Sequence, residues 1–355
     1  KLTTAAGTVG TPNGLAQPFG ADVNTDGIID FLYAGDLLGN LWKFDVRSTS
    51  AANWTLATNR VVLFQARDAS NNVQPITSPA EGSSHVTGTG FMINFGTGKY
   101  LENTDVSPPG SAYLTQSYYG IWDKNDNATV SLQTTVTRSQ LLQQQVLVNV
   151  STTGGTARVV SNNQPNWTDT TLTLHRGWYL DFPSTSPPSL TPITGERAVF
   201  QPTIINGRLI FTTLVPSTAS CSSGGESFLM VLDNMTGGRF TQSPFDTSGD
   251  GTINSSDLVT VAGQQVAVSG MATGIGSTGG IAGTPTVIKA GTGAGGTVST
   301  TAQYAGGTTG AVAMMGISSY WEAYLSLSSA SVANVLLDLG SNSLGRLSWR
   351  EITAD

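Results

Sequence analysis

Short apolar runs closed by Gly, Asn or Asp recur along the whole chain, and they fix its fold class before anything else does. They read "FLYAGD", "NLWKFDV", "RVVLFQA", "GFMINFG", "RLIFTTLV", "SFLMVLD", "NVLLDLG" and "RLSWREI". Each is rich in β-branched and aromatic residues, and several come in pairs separated by one turn, which is the pattern of β-hairpins. Two pairs share a plan. "DFLYAGDLLGNLWKFDV" runs strand, Gly-Asn turn, strand and Asp. "GRLIFTTLV…SFLMVLDNMTGG" likewise closes an apolar strand on Asp before a glycine-bearing turn. Repeated sheet units predict an all-β fold, with a propeller as the obvious architecture; the period alone leaves a β-sandwich open. Two segments break the pattern. "TVTRSQLLQQQVL" (135–147) predicts a short amphipathic helix capped by Thr137 or Ser139. Residues 262–312 are nearly pure Gly, Thr, Ala and Ser. They carry little apolar area to offset chain entropy, which predicts a long loop or insertion with one strand around "TPTVIKA".

The acidic content is concentrated where the strands are not. "ADVNTDGIIDF" sets Asp22, Asn24, Asp26, Gly27, Ile28 and Asp30 in the order D-x-N-x-D-G-x-x-D. Hard cations such as Ca²⁺ take six to eight oxygen ligands. Side chains at positions one, three and five of a tight curl point inward, and Gly27 at position six permits the bend. Ile28 at position seven offers its carbonyl, and Asp30 at position nine closes the shell. Position twelve is Tyr33 rather than a bidentate Glu, and strand residues follow where an EF-hand would have a helix. The expectation is therefore a calcium loop grafted between strands, since three carboxylates this close repel one another unless a divalent cation compensates. A second copy, "DTSGDGTINSSD" (246–257), places Asp246, Ser248, Asp250, Gly251, Thr252 (through its carbonyl), Asn254 and Asp257 at positions one, three, five, six, seven, nine and twelve. This is a full loop of the dockerin kind with Asp in place of the terminal Glu, weakened by Ser at position three.

The remaining composition narrows the function classes. A chain of 355 residues with 39% hydrophobic content and seven Trp can bury a real core in one large β domain or two ordinary ones. Its net charge is −7, and no basic cluster exists to neutralise phosphates, which argues against nucleic acid as a partner. Cys221 stands alone, so it is expected to be a small buried hydrophobe or to pair outside this sequence. No apolar run approaches the roughly 20 residues of a membrane helix. The N-terminal "KLTTAAGTVGTPNG" has neither an initiator Met nor an apolar leader, so the chain reads as a fragment or processed product.

Catalytic patterns are absent. His85 lies in a loop-like stretch and His175 in a strand-like one, and neither is paired with a nucleophile motif. "FGTGKY" lacks Walker spacing and reads as a turn, and the acidic pair Asp123 and Asp126 sits beside Asn and Lys in another turn. The chain is expected not to be an enzyme.

Taken in order, "GDLLGNLWKFDV", "FGTGKYLENTDV", "QSYYGIWDKND", "RGWYLDFP", "GERAVFQPTIINGRLIFTTLVPSTASCSSGGESFLMVLDNMTGGR" and "GRLSWREI" resemble the C-terminal domain of the PilY/PilC family, type IV pilus biogenesis proteins and pilus-tip adhesins of Gram-negative bacteria. The resemblance covers residues 10–260 and the last ten or so. It implies a modified quinoprotein-like β-propeller whose upstream blades and N-terminal adhesive domain lie outside this chain, with residues 1–355 as the C-terminal part of the propeller. It implies that calcium at Asp22, Asn24, Asp26, Ile28 and Asp30 biases pilus extension against retraction. It further implies docking on minor pilins at an extracellular pilus tip, surface contact through the missing domain, twitching motility and adhesion. Two other readings remain. "AGDLLGNLWKFD" resembles the tryptophan-bearing blade motif of quinone-dependent dehydrogenases, in which Trp42 would dock blades together. A calcium-stabilised carbohydrate-binding module would use Trp122, Trp167 and Trp178 as stacking platforms if they are exposed.

Overall fold

The first two strand-like runs pair as their turn signals require. In the computed structural model, which describes residues 2–106, 113–125, 129–182, 195–217, 225–273, 280–289, 320–329 and 332–340, they belong to a four-stranded antiparallel meander. Its strands are β1 (Phe19–Ala21), β2 (Phe31–Gly35), β3 (Asn40–Asp45) and β4 (Arg60–Gln65). Asp36 closes the β2–β3 turn. Its carboxylate accepts the backbone N–H groups of Leu38 and Asn40 at 2.9 Å each and the Trp42 indole N–H at 2.8 Å. Gly39 takes φ +78° there, and a Cβ would meet the Ala66 carbonyl oxygen at 2.8 Å. Trp42 is thus tied into its own hairpin and stacks on Phe44.

The second sheet is again a meander, β5 (Glu81–Ser84), β6 (Phe91–Gly96), β7 (Ser117–Asp123) and β11 (Gly177–Asp181), with β8 (Leu142–Gln144) added parallel to β11. The third runs β12 (Thr203–Ile205), β13 (Arg208–Thr212), β16 (Phe228–Asp233) and β19 (Gly270–Ala272). The hairpin β9 (Val146–Thr152) and β10 (Gly155–Val160) extends its outer edge, although in sequence it precedes the last strand of the second sheet. Two-stranded ribbons, β14 (Val215–Pro216) with β15 (Gly225–Glu226) and β17 (Val259–Val261) with β18 (Gln264–Val266), lie beside these sheets in sequence. A last sheet holds β20 (Thr286–Lys289), β21 (Tyr320–Ser326) and β22 (Val332–Asp338). Helix among the described residues is one turn, α1 (Asn103–Val106), besides 3-10 turns.

The sheets pack face to face in chain order, as blades of a β-propeller. Phe31, Tyr33 and Phe64 of the first meet Ile93, Phe95 and Tyr119 of the second. On the other face of the second sheet, Tyr118 and Trp178 meet Phe211 and Met230 of the third. Ile210, Leu229 and Val231 of the third then pack on Trp321, Leu325 and Leu337 of the last. Successive residues of a strand point to opposite faces, so Tyr118 and Tyr119 serve two different interfaces. Burial on both faces explains why the strands read as continuous apolar runs rather than alternating ones.

Two expectations are corrected. The helix expected over 135–147 does not form. Thr137 does cap, in a capping box with Gln140, but only a single 3-10 turn, Arg138–Gln140, follows before β8 and β9. The competing contacts are long-range: Val136 donates to the Leu63 carbonyl at 2.7 Å, and the Gln144 amide donates to the Asn163 and Thr236 carbonyls, each at 2.8 Å. Tertiary pairing outweighs a weak helical preference. The Gly/Thr-rich tract also begins later than expected. "GMA" is β19, the fourth strand of the third blade, where a Cβ on Gly270 would sit 2.4 Å from Met230 Sδ. "TPTVIKA" does yield a strand, β20. Residues 274–279 and 290–312 of that tract, Cys221, Asp126 and "RLSWREI" lie outside the described residues.

Candidate functional site

The first acidic segment joins β1 to β2, between strands as expected. Its end is pinned by the sheet: Asp30 N–H donates to the Ala21 carbonyl at 2.9 Å, and Val46 N–H donates to the Asp30 carbonyl at 2.9 Å. The segment winds around its own side chains. Asp22 Oδ2 accepts Gly27 N–H at 2.8 Å, Asp22 Oδ1 accepts Asp26 N–H at 3.3 Å, and Asn24 Oδ1 accepts Asp26 N–H at 3.0 Å. Asp26 Oδ1 accepts Ile28 N–H at 2.8 Å, and Asp30 Oδ2 reaches back to accept Val23 N–H at 2.8 Å. The bend uses left-handed backbone at Thr25 (φ +61°) and Gly27 (φ +86°). The Ile28 side chain is exposed, so position seven contributes no core packing.

The second segment, between β16 and β17, repeats the construction. Asp246 accepts Gly249 N–H at 2.7 Å and Gly251 N–H at 2.8 Å, and Ser248 Oγ donates to it at 3.2 Å. Asp250 accepts the Thr252 N–H at 2.8 Å and its hydroxyl at 2.6 Å, and these bonds hold its carboxyl below the usual range. Asn254 Oδ1 caps the 3-10 turn Ser255–Asp257 through Ser256 N–H at 2.7 Å. Asp257 is fully buried and accepts Thr247, Ser248 and Asn254 N–H groups at 2.8, 2.9 and 2.8 Å. Asp30 and Asp257 therefore do the same job. Each is the closing carboxylate that accepts the N–H of its segment's second residue, although one stands at position nine and the other at twelve.

Both donor sets consist of oxygens alone, which suits a hard cation and excludes thiolate- or imidazole-seeking metals. Among the described residues, no three His, Cys, Asp or Glu side chains are gathered into a ready-made metal cluster, because each carboxylate here faces the amides of its own loop.

Other buried polar groups were not singled out from sequence. Lys43 Nζ lies 2.7 Å from Asp123 Oδ2, both side chains fully buried, and the Tyr33 hydroxyl donates to the same oxygen at 2.6 Å. Arg158 forms a two-pronged pair with Glu196 at 2.5 and 3.1 Å, also without exposure, and lies 3.7 Å over the Phe228 ring. Arg138 bonds Asp181 at 2.5 Å and lies 3.8 Å over Tyr179. A Lys between Trp and Phe in "NLWKFDV" was the available signal, because every position of that strand up to Phe44 is buried.

Both histidine rings are engaged by neighbouring groups. His85 is 3% exposed, stacked on Trp122 at 4.0 Å with Trp167 edge-on at 4.8 Å. Burial, with Lys124 nearby, lowers its pKa from 6.5 to about 4. The neutral ring is thus the folded form, and the unfolded chain binds the proton more readily. Unfolding free energy should therefore fall as pH drops from about 6.5 toward about 4. Urea unfolding at stepped pH should give a shallower slope for His85→Phe across that window; equal slopes would contradict it. His175 precedes β11 rather than lying in a strand, and its Nδ1 accepts Asn166 N–H at 3.0 Å. "FGTGKY" is not the expected turn: Phe95 and Gly96 end β6, Gly98 at φ +116° bridges to Ile76, and Lys99 pairs with Glu102 and Asp105 at 3.2 and 3.3 Å. Trp122 and Trp178 are core residues, and Trp167 is half-buried against Trp122.

Known proteins resemble much of this chain. The sequence profile of the PilY1 beta-propeller domain matches residues 1–158. The type IV pilus biogenesis factor PilY1 of Pseudomonas aeruginosa PAO1 is 33% identical over 286 residues, covering 74% of this chain and 24% of that protein. A PilY1 homolog of Xylella fastidiosa is 32% identical over 232 residues, covering 64% of this chain and 14% of that protein. The chain therefore spans a quarter or less of the curated relatives it matches. The crystal structure of the Pseudomonas aeruginosa PilY1 C-terminal domain aligns with TM-score 0.68 at 28% identity, covering 95% of this chain and 63% of that one.

Proposed function

This chain belongs to the PilY1 family, matching its C-terminal domain, and on that premise we propose that it is a non-enzymatic, calcium-binding propeller segment of a type IV pilus biogenesis protein. In this reading the intact protein sits extracellularly at the pilus tip, docks on minor pilins and supports extension against retraction, and with it adhesion and twitching motility. The observation that carries it is the self-wound loop Asp22–Asp30, whose oxygen-only donors close one blade. Asp22, Asn24, Asp26 and Asp30 would hold Ca²⁺ through side chains and Ile28 through its carbonyl. Asp246, Ser248, Asp250, Thr252, Asn254 and Asp257 would hold a second ion. The ion supplies charge neutralisation alone.

The physical route from loop to surface runs through β1. That strand pairs with β2 over three residues only, Phe19 to Tyr33, Gly20 to Leu32 and Ala21 to Phe31. Phe19 lies over Gly82 of β5 in the next blade, where a Cβ would come within 2.4 Å of its ring. Repulsion among Asp22, Asp26 and Asp30 would loosen this short strand and with it the contact between the first two blades. Calcium would hold both. Affinity on the order of 10⁻⁶ to 10⁻³ M is expected for a loop lacking the bidentate Glu.

Co-purification tests the reading. Minor pilins should be retained on the tagged intact protein in calcium and released by chelator. Asp26→Ala should behave in calcium as the parent does in chelator. Retention that ignores both the chelator and the substitution would contradict it. The carbohydrate and quinone readings gain no support from the geometry around Trp42, Trp122 and Trp178.

A further inference from the structure

Lys43 is a nucleophile that water does not reach, and the groups around it form a closed circuit. Its Nζ donates to Asn125 Oδ1 at 2.9 Å and to Gln133 Oε1 at 3.1 Å, lies 2.7 Å from Asp123 Oδ2, and sits 4.2 Å over the Phe31 ring. Gln133 is buried and fixed by its own N–H to the Val130 carbonyl at 3.0 Å. Its Nε2 donates to Asp123 Oδ1 in a short contact. One carboxylate therefore touches the amine through one oxygen and the carboxamide nitrogen through the other. Tyr33 fixes that carboxylate with a hydroxyl at 2.6 Å.

We propose that Lys43 and Gln133 condense into an intramolecular isopeptide bond, with Asp123 as the proton carrier. Lys43 Nζ gives a proton to Asp123 Oδ2 and attacks Gln133 Cδ, forming the Nζ–Cδ bond. Asp123 Oδ1 delivers the proton to Nε2, the Cδ–Nε2 bond breaks, and ammonia leaves. The second Nζ proton returns through Asp123 to the ammonia. The balance is one lysyl ammonium and one carboxamide in, one secondary amide and one ammonium out, with Asp123 unchanged and nothing oxidised or reduced. Placement of amine and carboxamide in contact supplies the proximity such a reaction needs. Burial pulls Lys43 below the usual lysine range, which makes the neutral amine accessible. Burial pushes Asp123 up, but the Lys43 ammonium and the bonds from Lys43 and Tyr33 outweigh it and hold the carboxylate ionised, ready to accept the proton. The bond would join β3 of the first blade to the chain beyond β7 of the second, across 90 positions of sequence.

The test is tandem mass spectrometry of a tryptic digest of the folded, intact protein. The expected result is a branched peptide joining Lys43 to the peptide Asn125–Arg138 at Gln133, lighter than its two linear parts by one ammonia, with no cleavage after Lys43. Asp123→Asn, checked for native circular dichroism, should lose the branch and regain that cleavage. The wild-type digest decides even if the variant fails to fold. Free Lys43 with an unmodified Gln133 overturns the proposal. So does a branch at Asn125, or a folded Asp123→Asn protein that still carries the bond at Gln133.

Discussion

Glu196→Ala is expected to cost about 3–5 kcal/mol of unfolding free energy, because it strands a fully buried guanidinium. Arg158 spends its donors on Glu196 and on Asn149 Oδ1, the latter at 3.0 Å. With the carboxylate gone, two of those donors would have no anionic partner in a site closed to water. The loss is a cost of stranding a charge, and it differs from the net contribution of the pair. A double substitution, Arg158→Met with Glu196→Leu, should therefore recover much of the stability, since well-packed apolar replacements of buried pairs are often neutral. Urea unfolding of the three variants checks this. A loss under about 1 kcal/mol for Glu196→Ala would mean that solvent reaches Arg158.

Trp178→Ala should lose a similar amount, about 3–5 kcal/mol, by opening a cavity between the second and third blades. The indole is fully buried, donates to the Asn234 carbonyl at 3.2 Å and stacks on Tyr118 at 6.1 Å. Its neighbours have been cut to fit it. A Cβ on Gly120 would come within 2.3 Å of Nε1, and a Cβ on Gly237, at φ +67°, within 2.1 Å of Cε3. Trp178→Phe should cost less, because it keeps part of the apolar volume. If the two substitutions prove equal and small, the blades do not close on this residue.

These two sites show where sequence reading stops. The strands were legible because burial on both faces leaves long apolar runs, and the acidic loops because their spacing is local. Arg158 and Glu196 meet across 38 positions, and neither neighbourhood in sequence signals the pairing. Lys43 was hidden for the opposite reason: a strand buried on both faces has no solvent side on which a charge would stand out. The misread helix at 135–147 had a true cap at Thr137 and lost only to sheet partners that lie far away in sequence. "GMA" could not announce itself as a strand, since what suits it to that place is the absence of side-chain bulk against Met230.

The loops' roles were also only half legible. Position counting proposed Asp30 and Asp257 as ligands, but their shared task of accepting the second residue's N–H became visible only in three dimensions. Those amide bonds partly pre-form each loop's curl, against the repulsion among its carboxylates. On the calcium reading, an ion would have less chain to order, and its binding energy would add to the stability of the folded state. At a free calcium concentration 100 times the dissociation constant, this would add about 2.7 kcal/mol.

Calorimetric titration of chelator-stripped protein with Ca²⁺ addresses the calcium reading without intermediaries. The parent should give a saturable heat, Asp26→Ala should lose the component assigned to the first loop, and Asp250→Ala should spare it. A parent protein that takes up no calcium, or an Asp26→Ala variant that binds as tightly as the parent, would contradict a metal-locked first blade.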